Sequence, residues 1–257
     1  MTLPVVTSIA VEADAELLFA GDMHLRTADE PNAAALLELL SHHGRANRYL
    51  ILLGDVFYFY FENRKVPIKE FHWLIGALES NAASWGAIVL LRGNRDFLLG
   101  STGTFPRCLH SGGDCLVIER GKSRILATHG DTFLRGDWSY VVFRKLIRSG
   151  MVRWAAKNIW PPLGVKIVGA LRWITFRRRQ GKAKPPNFEE ILSASAEHKA
   201  DTVVFGHFHR QISPDEFPWK VPSAFCIGSW ENGSAPVLVM TADSARTVEV
   251  RNLDEKG

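Results

Sequence analysis

Five short apolar runs in this chain end in the same way, with Gly, Asp, Asn or His directly behind them. Runs such as Ala87-Ile88-Val89-Leu90-Leu91 are typical of buried strands in a parallel sheet. Because the carboxyl ends of parallel strands meet at one edge of a sheet, we expect five strand ends to surround one site. The segments behind the runs are Gly21-Asp22-Met23-His24, Gly54-Asp55, Gly93-Asn94-Arg95-Asp96, His129-Gly130-Asp131 and Gly206-His207-Phe208-His209.

The side chains in these segments form a mixed set of carboxylate, amide and imidazole groups. Such donors suit divalent ions, namely Mn²⁺, Fe²⁺, Co²⁺ or Zn²⁺, better than a thiolate site would. Seven ligands are too many for one ion with an open position, but they suit two ions about 3.5–4 Å apart that share a carboxylate. A lone Gly-Asp is usually a turn and a lone buried His is usually only hydrogen-bonded, so the prediction depends on all five segments together. The predicted ligands are Asp22, His24, Asp55, Asn94, His129, His207 and His209.

Helical and strand patterns alternate along the chain. This alternation favours an α/β fold in which a sheet is covered by helices on both faces. Residues 1–16 are predicted to form a leader or an edge strand, and residues 115–128 a hairpin around Gly121-Lys122. The aromatic run 56–61 is either a loop packed onto the body or an apolar wall beside the site. The predicted helices cover residues 32–40, 68–81 and 188–198, and strands in the tail cover 236–240 and 247–250.

Composition restricts where the protein works. Three cysteines without metal-type spacing argue against a disulfide framework and indicate a reducing compartment. The first twenty residues lack a basic signal region, and no run reaches the roughly 18 apolar residues of a membrane-spanning helix. We therefore expect a soluble or peripheral cytoplasmic protein.

Basic residues are concentrated in one segment. Residues 138–188 contain twelve Lys or Arg, four Trp and no Asp or Glu, whereas the rest of the chain has 19 basic and 27 acidic residues, a net charge of −8. This pattern predicts a basic helical insertion over 138–186 within a single domain of residues 1–257. Trp and cationic side chains favour an anionic membrane surface as its partner. A nucleic-acid groove and a solvated helical hairpin are the alternatives, and no obligate protein partner is evident.

The order Asp-x-His, Gly-Asp, Gly-Asn, His and Gly-His-x-His, over about residues 17–210, resembles the calcineurin-like metallophosphoesterases. Most of that superfamily has His after Gly-Asn, whereas this chain has Arg95. The run Gly93-Asn94-Arg95-Asp96-Phe97-Leu98-Leu99-Gly100 and the later His-Gly-Asp-Thr resemble the LpxH-like UDP-2,3-diacylglucosamine pyrophosphatases of lipid A synthesis. The resemblance implies a β-sandwich flanked by helices, with a helical lid inserted after His-Gly-Asp, where the basic insertion lies.

The same resemblance implies roles for individual residues. Asp22, His24, Asp55 and His209 would hold one Mn²⁺, and Asp55, Asn94, His129 and His207 a second, with Asp55 as the bridge. Water between the ions would attack phosphorus, and Arg95 would bind the phosphate charge of the transition state. Asn94, Arg95 and His129 would be the catalytic residues. The substrate-binding residues would be Arg95, His209, Asp137, Tyr140, Phe143, Arg144, Lys182 and Lys184.

The resemblance further implies a UDP-linked acylated glucosamine as substrate, no nucleic-acid partner, and a cytoplasmic position at the inner membrane. The family lid usually carries a Ser- and Lys-rich stretch, and this chain has residues 177–184 there, with Lys182 or Lys184 as substitutes and without the Ser pattern. Two alternatives remain open. One is another metallophosphoesterase that acts on nucleotides or nucleic acids, and the other is a non-catalytic module that binds a membrane surface.

Overall fold

The computed structural model describes residues 6–60, 71–99, 110–134 and 185–254 except Val221, together with Ser149, Trp154 and Asn158. Apart from the three isolated positions, these residues form eleven strands and three α-helices. The helices are α1 (Pro31–His42), α2 (His72–Asn81) and α3 (Phe188–His198). The strands are β1 (Val6–Val11), β2 (Glu16–Ala20), β3 (Arg48–Leu52), β4 (Ala87–Leu91), β5 (His110–Gly113), β6 (Cys115–Arg120), β7 (Ser123–Thr128), β8 (Thr202–Phe205), β9 (Ser223–Cys226), β10 (Pro236–Met240) and β11 (Ala245–Glu249).

The strands make two mixed sheets. One has the order β1-β6-β7-β8-β9 and the other β11-β10-β2-β3-β4-β5. Strands β2, β3, β4 and β5 run parallel, and so do β7, β8 and β9. The five runs singled out in the sequence are therefore β2, β3 and β4 of one sheet and β7 and β8 of the other, each followed by a polar segment.

The sheets pack face to face, and this explains why the apolar runs are continuous. Leu17 and Phe19 of β2 lie in the cluster between the sheets, together with Ile118 of the opposite sheet. Leu18, between them in sequence, instead belongs to the cluster that includes residues of α1 and α2. Successive strand residues point to opposite faces, so a strand buried on both faces must be apolar throughout.

Helices cover the outer faces of this sandwich. Leu36 and Leu74 attach α1 and α2 to the six-stranded sheet, and Ile191 attaches α3 to the five-stranded sheet. The β-sandwich flanked by helices that the resemblance implied is confirmed. The single sheet with helices on both faces, predicted from the alternation alone, is wrong, because an alternating pattern shows that a face is buried without showing whether a helix or a second sheet covers it.

Most predicted elements lie where the sequence indicated. The bounds of α3, β8 and β10 are as predicted, the β6–β7 hairpin turns at Gly121 with φ +58°, and β1 is an edge strand. The helix predicted over 68–81 is described from its residue 71 onward, and α2 begins at His72. Strands β5 and β9 were not predicted, since each is only four residues long and β5, His-Ser-Gly-Gly, contains no apolar side chain.

The chain leaves the described fold and returns to it at one point. Leu134 and Pro186 form an isolated antiparallel bridge, and the Asn187 N–H donates to the Phe133 carbonyl at 2.7 Å. The insertion predicted over 138–186 lies almost wholly outside the described residues. None of the helices in the described part of the chain is long and apolar enough to cross a membrane. Outside the described residues lie the predicted lid residues Asp137, Tyr140, Phe143, Arg144, Lys182 and Lys184.

Candidate metal centre

The segments behind the five strands bring all seven predicted ligand side chains into one site. Donor atoms of Asp22, His24 and His209 lie within 4.8 Å of one another, and so do those of Asp22, Asp55 and His129. The Asn94 and His207 side chains lie beside the second group. The Asn94 Nδ2 atom is 3.2 Å from His129 Nε2 and 3.1 Å from His207 Nδ1. Asp22 is the member that both groups share.

Backbone strain is concentrated at the same residues. Among the described non-glycine residues, positive φ angles occur at five predicted ligands and at two other positions, Lys199 and Asn232. A non-glycine residue in this region costs about 1–2 kcal/mol and persists where surrounding structure imposes it. Side chains of a strand alternate between its two faces. The left-handed conformation breaks this alternation and lets each ligand side chain point into the common site. The five strained ligands are Asp22, His24, Asp55, His207 and His209.

Two glycines allow the segments to approach each other. A Cβ atom at Gly93 would overlap the backbone nitrogen and the carboxylate of Asp55. A Cβ atom at Gly206 would lie 2.5 Å from Asp22 Oδ2. Neither glycine has a positive φ, so the close packing of a ligand from a neighbouring strand end explains their presence.

Asp55 occupies the centre of the arrangement. It is 1% exposed, and its Oδ1 atom accepts the Arg95 N–H at 2.8 Å and lies 3.8 Å from His129 Nε2. Its Oδ2 atom lies 3.9 Å from His24 Nδ1 and 3.5 Å from Arg95 Nε. The two oxygens of Asp55 thus face different histidines, His129 and His24.

Hydrogen bonds orient the ligands from outside the site. The His129 Nδ1–H donates to the Leu53 carbonyl at 3.1 Å, which orients the ring so that Nε2 faces Asn94 and His207. The His207 N–H donates to Asp22 Oδ2 at 2.6 Å. Both bonds fix a donor atom before any ligand arrives.

The electrostatics of the site favour a cation. Burial raises the pKa of Asp22 to about 7; the charge of His129 opposes this effect and that of Asp55 adds to it. In the described part of the chain the Asp22 Oδ1 atom is buried and accepts no hydrogen bond. A buried carboxylate needs a partner for its charge. The Oδ1 atom of Asp22, which lies 3.7 Å from His209 Nε2, fits a divalent metal ion.

Asp96 has a structural role that the sequence did not reveal. It is fully buried and accepts backbone N–H groups from Gly93 at 2.6 Å, Asp55 at 3.2 Å and Val56 at 3.0 Å. Burial, followed by the charge of Asp55, raises the pKa of Asp96 to about 6. The side chain ties the segment after β3 to the segment after β4. Its only signal in the sequence is an acid close behind a Gly-Asn turn.

Part of the aromatic run after Asp55 packs onto the body of the protein, and part of it lines a cavity. Val56, Phe57 and Tyr60 are buried in the body. Tyr58 and Phe59 are half-buried and line a cavity of about 700 Å³. Phe61 lies outside the described residues.

The fold and the site agree with what comparison with known proteins shows. A family model described as calcineurin-like phosphoesterase matches residues 15–211. This chain therefore belongs to the calcineurin-like phosphoesterase family, as the order of its motifs predicted, and it is a metal-dependent hydrolase.

Proteins with similar sequences indicate which members of the family this chain resembles. A protein of Pseudomonas putida named UDP-2,3-diacylglucosamine hydrolase is 30% identical over 200 residues, which cover 76% of this chain and 82% of that protein. A protein of Yersinia pseudotuberculosis with the same name is 26% identical over 242 residues, which cover 90% and 97%. The resemblance based on residues 93–100 is confirmed by this similarity.

Proposed function

We propose that this chain hydrolyses the pyrophosphate bond of UDP-2,3-diacylglucosamine in lipid A biosynthesis. The products are UMP and 2,3-diacylglucosamine 1-phosphate (lipid X), so water adds to one phosphorus and the bridging P–O bond breaks. The names of the relatives in Pseudomonas putida and Yersinia pseudotuberculosis support the substrate. The observation that carries the chemistry is the placement of Asp55 between two groups of metal-type donors and beside Arg95.

The proposal includes two divalent ions, with Mn²⁺ as the metal. Asp22, His24, Asp55 and His209 would hold one ion. Asp55, Asn94, His129 and His207 would hold the other. Bound ions lower the pKa of water and polarise phosphate oxygens.

Arg95 is placed to act on the phosphate. Two hydrogen bonds fix its backbone: the N–H donates to the Asp55 carboxylate, and the carbonyl accepts the Tyr60 N–H at 3.1 Å. Its side chain is 25% exposed, so a substrate can reach the guanidinium group. A planar guanidinium can bind two phosphate oxygens and stabilise the charge that develops on them. A nucleotide phosphate is already a good leaving group, so a histidine acid is not needed at this position.

The remaining proposed residues orient groups around the reacting phosphorus. His129 directs its Nε2 atom into the site, because its Nδ1–H donates to the Leu53 carbonyl. The Asn94 side chain lies 3.2 Å from His129 and 3.1 Å from His207, so these three proposed ligands of the second ion are already adjacent. The His209 side chain is 39% exposed, so it can contact the substrate as well as a metal ion.

We also propose that residues 138–186 form a basic helical lid in a single domain of residues 1–257. The Leu134–Pro186 bridge supports an insertion, because it joins the two ends of the segment. Trp154, which is 66% exposed, suits a lid that meets an anionic inner membrane from the cytoplasm. The lid residues would contact the acylated sugar. They are Asp137, Tyr140, Phe143, Arg144, Lys182 and Lys184.

Sedimentation with vesicles tests the membrane part of this proposal. We expect binding to phosphatidylglycerol vesicles and not to phosphatidylcholine vesicles, and weaker binding after Arg177→Glu and Arg178→Glu. Equal binding to both vesicle types would contradict the proposed anionic surface.

The activity is tested with three substrates in the presence of Mn²⁺. They are UDP-2,3-diacylglucosamine, bis(p-nitrophenyl) phosphate and a short single-stranded DNA, each given to wild type and Asp55→Ala. Release of UMP and lipid X by wild type and not by the variant is the expected result. Hydrolysis of bis(p-nitrophenyl) phosphate alone would support the metal site and contradict the proposed substrate. Metal binding without turnover of anything would favour a binding module.

A further inference from the structure

Two arginines share one tyrosine ring beside the metal centre. The guanidinium carbon of Arg26 lies 3.7 Å from the ring centroid of Tyr58, and that of Arg95 lies 5.3 Å from the same centroid. Arg95 is also the residue whose Nε atom is 3.5 Å from Asp55. The stack therefore reaches from the reacting centre outward to Arg26.

Backbone pairing beyond the sheet builds this stack. The Leu25 N–H donates to the Val56 carbonyl at 2.9 Å, and the Tyr58 N–H donates to the Leu25 carbonyl at 2.8 Å. These bonds extend the parallel pairing of β2 and β3 past the strained ligands, and they place Arg26 beside Tyr58. The same two segments carry the proposed ligands Asp22, His24 and Asp55, so the stack is built on the backbone of the metal site.

Arg26 has no carboxylate within ion-pair distance in the part of the chain that the structure describes. It is an exposed residue, yet the Tyr58 ring holds its planar group in one place. An exposed arginine that packs on an aromatic ring is suited to an external anion, since its fork matches phosphate oxygens.

The cavity of about 700 Å³ opens beside this arginine. Arg26, Tyr58, Phe59 and Trp73 are among the residues that line it. Its size lies within the range of small-molecule sites, which typically combine aromatic walls with a few polar groups. The Trp73 Nε1–H is buried without a hydrogen-bond acceptor in the described residues. A planar ligand with carbonyl groups and an attached phosphate fits such a wall.

We propose that Arg26, Tyr58 and the cavity beside them form the subsite for the nucleotide half of the substrate. Arg95 faces the phosphorus under attack, Arg26 binds the neighbouring phosphate, and the aromatic wall takes the pyrimidine ring. Tyr58 is a positioning residue, because it acts by holding both guanidinium groups. An acyl chain is a poorer occupant, since its burial would desolvate the Arg26 charge. This inference rests on the proposed function for the identity of the nucleotide.

Binding of the two product halves tests the subsite directly. Calorimetry with the Mn²⁺-loaded protein would measure the affinity for UMP and for lipid X separately. We expect Arg26→Ala to weaken UMP about tenfold, the effect of one lost charged contact, and to leave lipid X unchanged. Tyr58→Leu should weaken UMP as well, whereas Tyr58→Phe retains the ring and should not. Arg246→Ala, which removes an exposed arginine of β11, is the control for net charge.

Kinetics separates this inference from the proposed function. With UDP-2,3-diacylglucosamine, Arg26→Ala should raise KM about tenfold and change kcat much less. Its effect on bis(p-nitrophenyl) phosphate, which has no nucleotide, should be smaller. Wild-type turnover of the UDP substrate with UMP affinity independent of Arg26 would overturn the subsite and leave the function intact. Loss of lipid X affinity in place of UMP affinity would identify the cavity as an acyl site and would also overturn it.

If the wild type does not hydrolyse the UDP substrate, the proposed function fails by itself. UMP binding that still depends on Arg26 would then support the subsite for a different nucleotide substrate. UMP binding that is absent in wild type would reject both.

Discussion

The carboxylate of Asp96 accepts the backbone N–H of Asp55, the residue at the centre of the metal site, at 3.2 Å. The two acidic side chains belong to different strand ends, and both are buried. Asp96 therefore shapes the site through the backbone while its own charge lies beside that of Asp55, which helps to raise the pKa of Asp96 to about 6. The repulsion between two neighbouring buried carboxylates would be offset by a cation bound at the site.

Asp96→Asn should damage both stability and metal binding. The carboxylate of Asp96 accepts backbone N–H groups with both oxygens. In asparagine one of these oxygens is replaced by an NH₂ group, which would face a backbone N–H, so at least one hydrogen bond is lost. We expect the free energy of unfolding to fall by about 2 kcal/mol, because a bond to a charged acceptor is replaced by two facing donors. Urea unfolding and Mn²⁺ titration measure the two effects. Asp243→Asn, at an exposed position, is the control, and unchanged Mn²⁺ affinity would contradict the positioning role.

Gly93→Ala should force the segment after β4 away from Asp55. The new methyl group would overlap the Asp55 backbone and carboxylate, and overpacking of this kind costs about 1–3 kcal/mol. We expect a lower melting temperature and weaker Mn²⁺ binding. The matched control is Gly76→Ala in α2, where an added Cβ meets nothing within 4 Å. That control should gain about 0.5–1 kcal/mol from helix propensity. A Gly93→Ala protein as stable as wild type would show that the strand ends are not rigidly packed.

Arg95→Lys should not preserve activity. Lysine retains the charge but loses the planar fork that can bind two phosphate oxygens. We expect kcat to fall about 100-fold in Arg95→Lys and in Arg95→Ala, as for removal of one preorganised donor of a transition state. Steady-state kinetics with UDP-2,3-diacylglucosamine and metal analysis of the purified variants would check this. Arg246→Lys is the control, and full activity of Arg95→Lys would show that charge alone suffices.

Asp254 should make a small contribution to stability that depends on pH. Partial burial acts to raise the pKa of Asp254, but the hydrogen bond from His43 and the charges of Arg45 and Arg48 outweigh it, so the pKa lies below its ordinary value. Because the folded pKa is depressed, the contribution is present above pH 3.8, the ordinary value, and is lost as the pH falls through the folded pKa.

Asp254→Asn should therefore destabilise the protein at pH 7 and much less near pH 3. The side chain is 41% exposed, so solvent screening limits the loss to about 1 kcal/mol or less. Urea unfolding at several pH values would measure the difference. An equal loss at pH 7 and pH 3 would mean that Asp254 acts through packing and not through its charge.

The sequence by itself identified the five strands that lead into the site, the residues behind them and the family. Continuous apolar runs mark strands buried on both faces, and a ligand set of carboxylate, amide and imidazole groups behind five such runs is informative without coordinates. It also predicted α3, β8 and β10 with their observed bounds, since their patterns are local.

Only the tertiary structure decided how these parts combine. Two sheets face each other, although an alternating pattern of helices and strands is equally compatible with one sheet, because periodicity reports burial and not the identity of the covering layer. The role of Asp96 depends on N–H groups from another strand end. The contact of Arg26 with Tyr58 arises from pairing between distant segments. Such contacts are set by which backbones meet in space, and a linear pattern of residue types does not contain that information.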